Sequence, residues 1–199
     1  MIAAENYTLE QLREKVFSKS DDVKSIKSEE IRQNLIWKNI LFIVSLHVGF
    51  VFAISAYVFG LSYIRINRMT VFWGLGVTAG VHRFWSHRAY KANLGLRIIL
   101  MILYSIAGLN SIFHWVKDHR VHHKYSETDA DPHNAKRGFF FSHVGWLFVN
   151  RHPEYLRRQK EIDLSDIIAD PVVMFNKKYE KELYVMFCFV IPMAVPVIF

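Results

Sequence analysis

Cysteine is almost absent: Cys188 stands alone in 199 residues, inside an apolar run. No disulfide can close within the chain, and cysteine-built zinc or iron–sulfur centres are excluded. No cleavable secretory signal is visible, because the first thirty residues are polar and charged. The first apolar span is therefore expected to serve as the membrane anchor. No glutamate occupies an HExxH arrangement, which ranks a zinc hydrolase last among metal chemistries. Internal repeats and low-complexity tracts are missing too. Charge is lacking over Ile40–Ile64, 25 residues in which His47 is the only group that titrates near neutral pH. At 1.5 Å per residue such a run crosses a hydrocarbon core of about 30 Å.

What is present fits a membrane surface. Hydrophobic residues make up 52% and aromatics 15%, which is rich for a chain that is still 22% charged. The charge is segregated: residues 82–160 carry 13 basic and 5 acidic groups, whereas 161–199 carry 3 and 6. A cationic middle suits anionic lipid headgroups or a phosphorylated substrate; beside membrane-like segments, nucleic acid is set aside as a partner. Trp37 and Tyr63 flank the first apolar run, where an aromatic belt would put them. A second crossing over Val58–Val81 takes Arg65 and Arg68 into the membrane, at about 2.5–3.5 kcal/mol each at a helix centre and less if they snorkel. Leu94–Phe113 reads as an amphipathic or partly inserted helix, Ser126–Arg137 as a loop, and Gly138–Val149 as a buried or interfacial helix. Leu183–Phe199 begins another apolar span. The expected fold is all-α: an integral membrane helical bundle of two spans and an unfinished third, with a cytosolic helical histidine-rich cap. Residues 1–36 form a polar cytosolic arm, in which Thr8 caps a short helix through Arg13–Phe17. The excess of Lys and Arg places the cap on the cytosolic side.

The histidines are the sharpest signal. His119, His122 and His123 stand at i, i+3 and i+4, within roughly 100° of arc on one helix face, so three imidazoles are expected to project from one patch. His82 and His87 are five residues apart. Five steps rotate about 140° on a regular α-helix, so this pair serves one metal from a helix end or faces two different metals. Neutral imidazole ligates iron, zinc and copper alike, and spacing does not choose among them.

Longer stretches carry a family likeness. Gly76-Val-Thr-Ala-Gly-Val-His82-Arg-Phe-Trp-Ser-His87-Arg-Ala-Tyr-Lys91 resembles the first histidine box of animal acyl-CoA desaturases of the stearoyl-CoA, delta-9 and delta-11 type. Asp118-His-Arg-Val-His-His-Lys-Tyr-Ser-Glu-Thr-Asp-Ala-Asp-Pro-His-Asn134 resembles the second box and its following loop, and Arg137-Gly-Phe-Phe-Phe-Ser-His-Val-Gly-Trp146 the next signature. The likeness runs from about Trp37 to the last residue. It implies an incomplete fatty acid desaturase domain over 37–199, four membrane helices in the complete family fold, and a di-iron centre held almost wholly by histidine. It implies insertion of a cis double bond into a saturated fatty acyl-CoA, using dioxygen and electrons from cytochrome b5, at the endoplasmic reticulum membrane. His82, His87, His119, His122 and His123 are the implied iron ligands. Asn110 and Trp115 match residues along the acyl channel, Lys117 and Asp118 a charged pair near the thioester, and Lys38, Asn39 and Arg151 groups that receive the CoA head. His133, His143 and His152 fall in matching stretches without being ligands in the family pattern.

The chain departs from that pattern in three ways. The family's third histidine box and one further ligand have no counterpart, since no histidine follows His152. The acyl tunnel is expected to lack part of its wall. Arg65 and Arg68 fall where the family's second span is apolar, and Leu109 replaces a polar residue. Five histidines leave both iron shells open, so this chain is expected to be an amino-terminal portion, inactive alone. The alternatives are a non-catalytic membrane fragment that binds a full-length desaturase or acyl-CoA, and a related di-iron hydroxylase.

Overall fold

The computed structural model describes residues 34–59 and 74–191, apart from the side chains of 53, 56 and 57. Most of the polar arm, with the helix expected after Thr8, lies outside that range, as do Arg65, Arg68 and the end of the third apolar run. The described residues form helices and turns, with a lone antiparallel bridge between Leu35 and Val149. In chain order the helices are α1 (Trp37–Val58), α2 (Gly76–Ser86), α3 (Leu94–Ile106), α4 (Ile112–Lys124), α5 (Phe139–His143), α6 (Pro153–Arg158), α7 (Ser165–Ala169), α8 (Pro171–Lys178) and α9 (Glu180–Val185), the last continuing as a wide-turn segment through Met186–Val190. They fall into two compact units, one of 74–119 with 162–191 and the other of 34–59 with 120–161.

The first unit is built on a close crossing of α2 and α3. Gly76 makes it possible: a Cβ there would lie 2.3 Å from the Tyr104 nitrogen and 2.4 Å from the Leu103 carbonyl carbon. Gly80 continues the contact against Leu100 and Trp85. Asn93 caps α3 by accepting from the Leu96 amide at 2.9 Å, satisfying one of the orphan donors of a helix start. Leu100, Met101 and Tyr104 face inward while Leu94, Ile98 and Ile99 remain exposed. The expected continuous helix over Leu94–Phe113 is two helices. The chain breaks between them at Gly108, whose φ of +66° is open to glycine and costly for other residues.

The start of α4 is held from the far end of the same unit. Asn176 Oδ1 of α8 accepts from the Ile112 amide at 2.8 Å, and Glu180 Oε1 of α9 accepts from the Ser111 amide at 3.0 Å. Asp170 ties the unit together. Its carboxylate accepts from Trp85 Nε1 at 3.1 Å, from the Val172 amide at 2.9 Å as the cap of α8, and lies 3.2 Å from the Arg97 guanidinium.

In the second unit, the Asn39 side-chain amide donates to the Leu147 carbonyl at 2.9 Å, and the Ile36 amide donates to the Phe148 carbonyl at 2.7 Å. These bonds fix the entry to α1. Leu41, Val48, Phe50 and Phe52 on α1 are 64–74% exposed. Among the described residues no helix is long and apolar enough to cross a membrane. The all-α class is borne out, whereas the predicted spans are not resolved as membrane-crossing helices. Residues 60–73 lie outside the described range, and α2 at 11 residues is too short to cross alone. The predicted helix over Gly138–Val149 is instead the five-residue α5 followed by a single tight turn at Gly145–Leu147. Helix α6 starts at the break expected at His152-Pro153, with the His152 ring accepting from the Glu154 amide at 3.2 Å.

Two substitutions check this packing. Gly76→Ala forces α2 and α3 apart and is expected to cost about 3 kcal/mol, read as a lower thermal midpoint of the detergent-solubilised chain. Asp170→Ala strands an indole N–H and a guanidinium and is expected to cost a similar ~3 kcal/mol, with Asp170→Asn recovering part of it in the same measurement.

Candidate metal centre

Helix α2 is a wide-turn π-helix, and that geometry places the first pair of histidines. The His87 amide donates to the His82 carbonyl at 3.1 Å, an i→i+5 bond. The Ser86 hydroxyl donates to the Val81 carbonyl at 2.7 Å, and Tyr90 Oη donates to the Ala79 carbonyl at 2.8 Å. The wide winding brings residues five apart towards one face, where a regular α-helix would splay them. The His82 and His87 ring centroids are accordingly 4.6 Å apart. This corrects the expectation from a 3.6-residue turn that the two rings diverge.

His119 of α4 joins the pair. Its ring lies 4.8 Å from that of His82 and 5.1 Å from that of His87. His87 Nε2 and His119 Nε2 are 3.0 Å apart, about the separation of two nitrogens that share an ion at ~2.1 Å from each. One ring nitrogen from each of the three histidines lies within 4.8 Å of the others. The donors are all nitrogen and neutral when ready to ligate, a set that suits iron, zinc or copper and is poor for magnesium or calcium. Trp115, one turn back on α4, stacks on His119 at 4.6 Å with 25° between the planes, and meets His82 edge-on at 6.2 Å. The indole walls one side of the cluster.

The three histidines of α4 do not act as one patch. On a helical wheel His122 lies about 60° to one side of His119 and His123 about 40° to the other. His122 belongs to a separate group in the second unit. Its Nδ1 is 2.8 Å from Asp131 Oδ1, and its ring is 4.3 Å from that of His133. Asp131 is buried, its side chain 1% exposed, and also accepts from the backbone amides of His133 at 3.0 Å and Glu127 at 2.9 Å. His123 is exposed, with its ring 5.5 Å from that of His122.

Sequence reasoning missed Asp131 and left His133 structural. The Asp131-Pro132 pair marked a turn, but nothing in its spacing pointed back to His122. Of the other candidates, Asp118 is buried on α4. Asn110 accepts from Tyr104 Oη at 2.7 Å through its backbone carbonyl. Lys117 contributes to a cationic cluster with Lys177, also unforeseen, which sits 3.8 Å over the Phe113 ring. Burial, reinforced by the Lys117 charge, pulls the Lys177 ammonium down to about 8, and the same two causes lower the His114 imidazole. In the second unit, Lys38 is exposed on the first turn of α1, Asn39 is engaged with the Leu147 carbonyl, and the Arg151 guanidinium packs over the rings of Trp146 at 4.6 Å and Tyr155 at 5.1 Å. His143 stacks flat on Phe139 at 5.4 Å.

The sequence that builds this site is similar to those of known proteins. A family model described as fatty acid desaturase matches residues 68–198. Stearoyl-CoA desaturase 5 of Homo sapiens is 48% identical over 173 residues, 83% of this chain and 51% of that protein. The Delta(9)-fatty-acid desaturase fat-7 of Caenorhabditis elegans is 40% identical over 191 residues, 92% of this chain and 56% of that protein. The acyl-CoA Delta(11) desaturase of Spodoptera littoralis is 58% identical over 123 residues, 62% of this chain and 36% of that protein. The chain spans about half the length of the first two. The matched stretch contains every histidine of both clusters, and on that basis the chain belongs to the fatty acid desaturase family.

Proposed function

We propose that this chain is part of an acyl-CoA desaturase that inserts a cis double bond into a saturated fatty acyl-CoA, with dioxygen as oxidant and cytochrome b5 as electron donor. The single observation that supports this reading is the meeting of His82, His87 and His119, nitrogen to nitrogen, beneath an indole. The relatives' names supply the substrate class, and the all-imidazole donor set suits a redox metal.

In this reading His82, His87 and His119 hold iron, with His123, one turn beyond His119 on α4, as a further donor and His122 a ligand for a second iron. Bound iron supplies the oxidising power needed to take hydrogen from an unactivated methylene. The protein's share is positional. The wide turn of α2 holds two ligand rings in register, and a fixed register lowers the ordering cost of binding. Trp115 and Asn110 face the acyl chain, and Trp115 screens the centre from water. Lys117 and Asp118 lie by the thioester, and Lys38, Asn39 and Arg151 receive the CoA head. The apolar run that contains α1 inserts in the endoplasmic reticulum membrane, with both histidine groups facing the cytosol. The exposed apolar side chains of α1 support this placement.

Metal binding tests the site directly. Cobalt(II), used as a spectroscopic stand-in, is expected to bind the detergent-solubilised chain. His119→Ala is expected to weaken that binding by more than about 100-fold, beyond the effect of losing an outer partner, while His143→Ala leaves it unchanged. Equal affinity in both variants would remove the site. A second test uses a yeast-type host without its own desaturase. The 199-residue chain is expected to yield no unsaturated acyl chains there, since five histidines do not close two iron shells. Alkene products from this chain alone would overturn that ligand count.

A further inference from the structure

We infer that Asp131 is the positioning residue of His122: it fixes that imidazole in the tautomer that bears its proton on Nδ1 and turns the Nε2 lone pair outward to a metal. The inference rests on the reading of His122 as a ligand and extends it to a carboxylate that no histidine motif contains. A carboxylate only accepts hydrogen bonds, so the 2.8 Å contact between Asp131 Oδ1 and His122 Nδ1 requires the proton on Nδ1. A neutral ring then has its one lone pair on Nε2.

Asp131 is itself immobilised. The backbone amides of His133 and Glu127 donate to its two oxygens at 3.0 and 2.9 Å. The loop that carries it is closed by the Asn134 side-chain amide on the Thr128 carbonyl at 2.9 Å, and Asn134 Oδ1 accepts from the Lys136 amide at 2.9 Å. The His122 ring also meets that of His133 at 4.3 Å, which in turn lies against Trp146 at 5.1 Å. Tilt is restricted by these ring contacts and rotation by the carboxylate. Among the described residues, the second metal-capable group is these three, His122, Asp131 and His133. With Asp131 occupied by three N–H donors, its role toward His122 is orientation. Outer-shell carboxylates of this kind raise ligand basicity, and their loss costs about 10–100-fold in metal affinity.

The test is the tautomer, read without metal. In the detergent-solubilised chain labelled with 15N-histidine and held at pH 8, long-range proton–nitrogen correlation is expected to show His122 with a pyrrole-type Nδ1 and a pyridine-type Nε2. In Asp131→Ala the ring is expected to revert mostly to protonation at Nε2, and the cobalt(II) concentration that half-broadens its signals to rise about 10–100-fold. His82, His87 and His119 should broaden at the unchanged concentration. A wild-type His122 protonated at Nε2 overturns the inference. So does an Asp131→Ala variant whose tautomer and cobalt midpoint match the wild type. If Asp131→Ala does not fold, the wild-type tautomer decides alone. Cobalt that broadens none of His82, His87 and His119 counts against the metal-site reading, while the metal-free tautomer still judges the role of Asp131.

Discussion

The hydrogen bond from the His87 amide to the His82 carbonyl governs the candidate site. It is one peptide unit longer than an α-helical bond, and that extra residue brings two imidazoles onto one line facing α4. A wide turn is intrinsically less favourable than an α-turn and persists where tertiary contacts hold it. Here they do. The Tyr90 hydroxyl takes up the Ala79 carbonyl, the Ser86 hydroxyl takes up that of Val81, and the Trp85 indole, between the two histidines in sequence, is held by Asp170 from α8.

Two buried or nearly buried aspartates play comparable parts in different units. Asp170 caps α8 and grips Trp85, so a residue far along the chain supports the first histidine pair. Asp131 grips His122 through a loop that its own backbone bonds define. Each is satisfied by several donors, which is the condition under which a carboxylate is stable away from water. The ligating side chains on α2 and α4 therefore depend on groups outside the histidine motifs. α4 depends likewise on Asn176 and Glu180, which take up amides at its start.

Legibility in the sequence tracked periodicity. α4 was readable because its histidines recur at helical spacing, and α1 because an uncharged apolar run admits little else. Both histidine motifs were found, and the family likeness they carry is borne out. The pairing of His82 with His87 was not readable by angle, since a π-turn leaves no period of its own and is decided by partners such as Asp170, 85 residues from Trp85. The break after α3 hid behind apolar composition, although Gly108 marked it, and the Gly138–Val149 helix failed because its aromatic run is apolar without being regular. Asp131 was invisible because its reach to His122 is set by loop backbone. The split of His122 from His119 was present in the wheel angles, but a 100° arc was read as one patch.

The wide turn makes spacer length a ruler. Deleting Arg83 or Phe84 would let α2 relax to ordinary winding, with the two histidines four apart and still on a shared face, but the register of everything after the deletion would shift by one peptide. Trp85 would then miss Asp170, and Arg88 would leave Asp166, which its guanidinium now meets at 2.7 Å. Insertions and deletions here are thus a harsher perturbation than side-chain replacement, because Trp85 within the gap and Arg88 just after it are both held by carboxylates of a later segment.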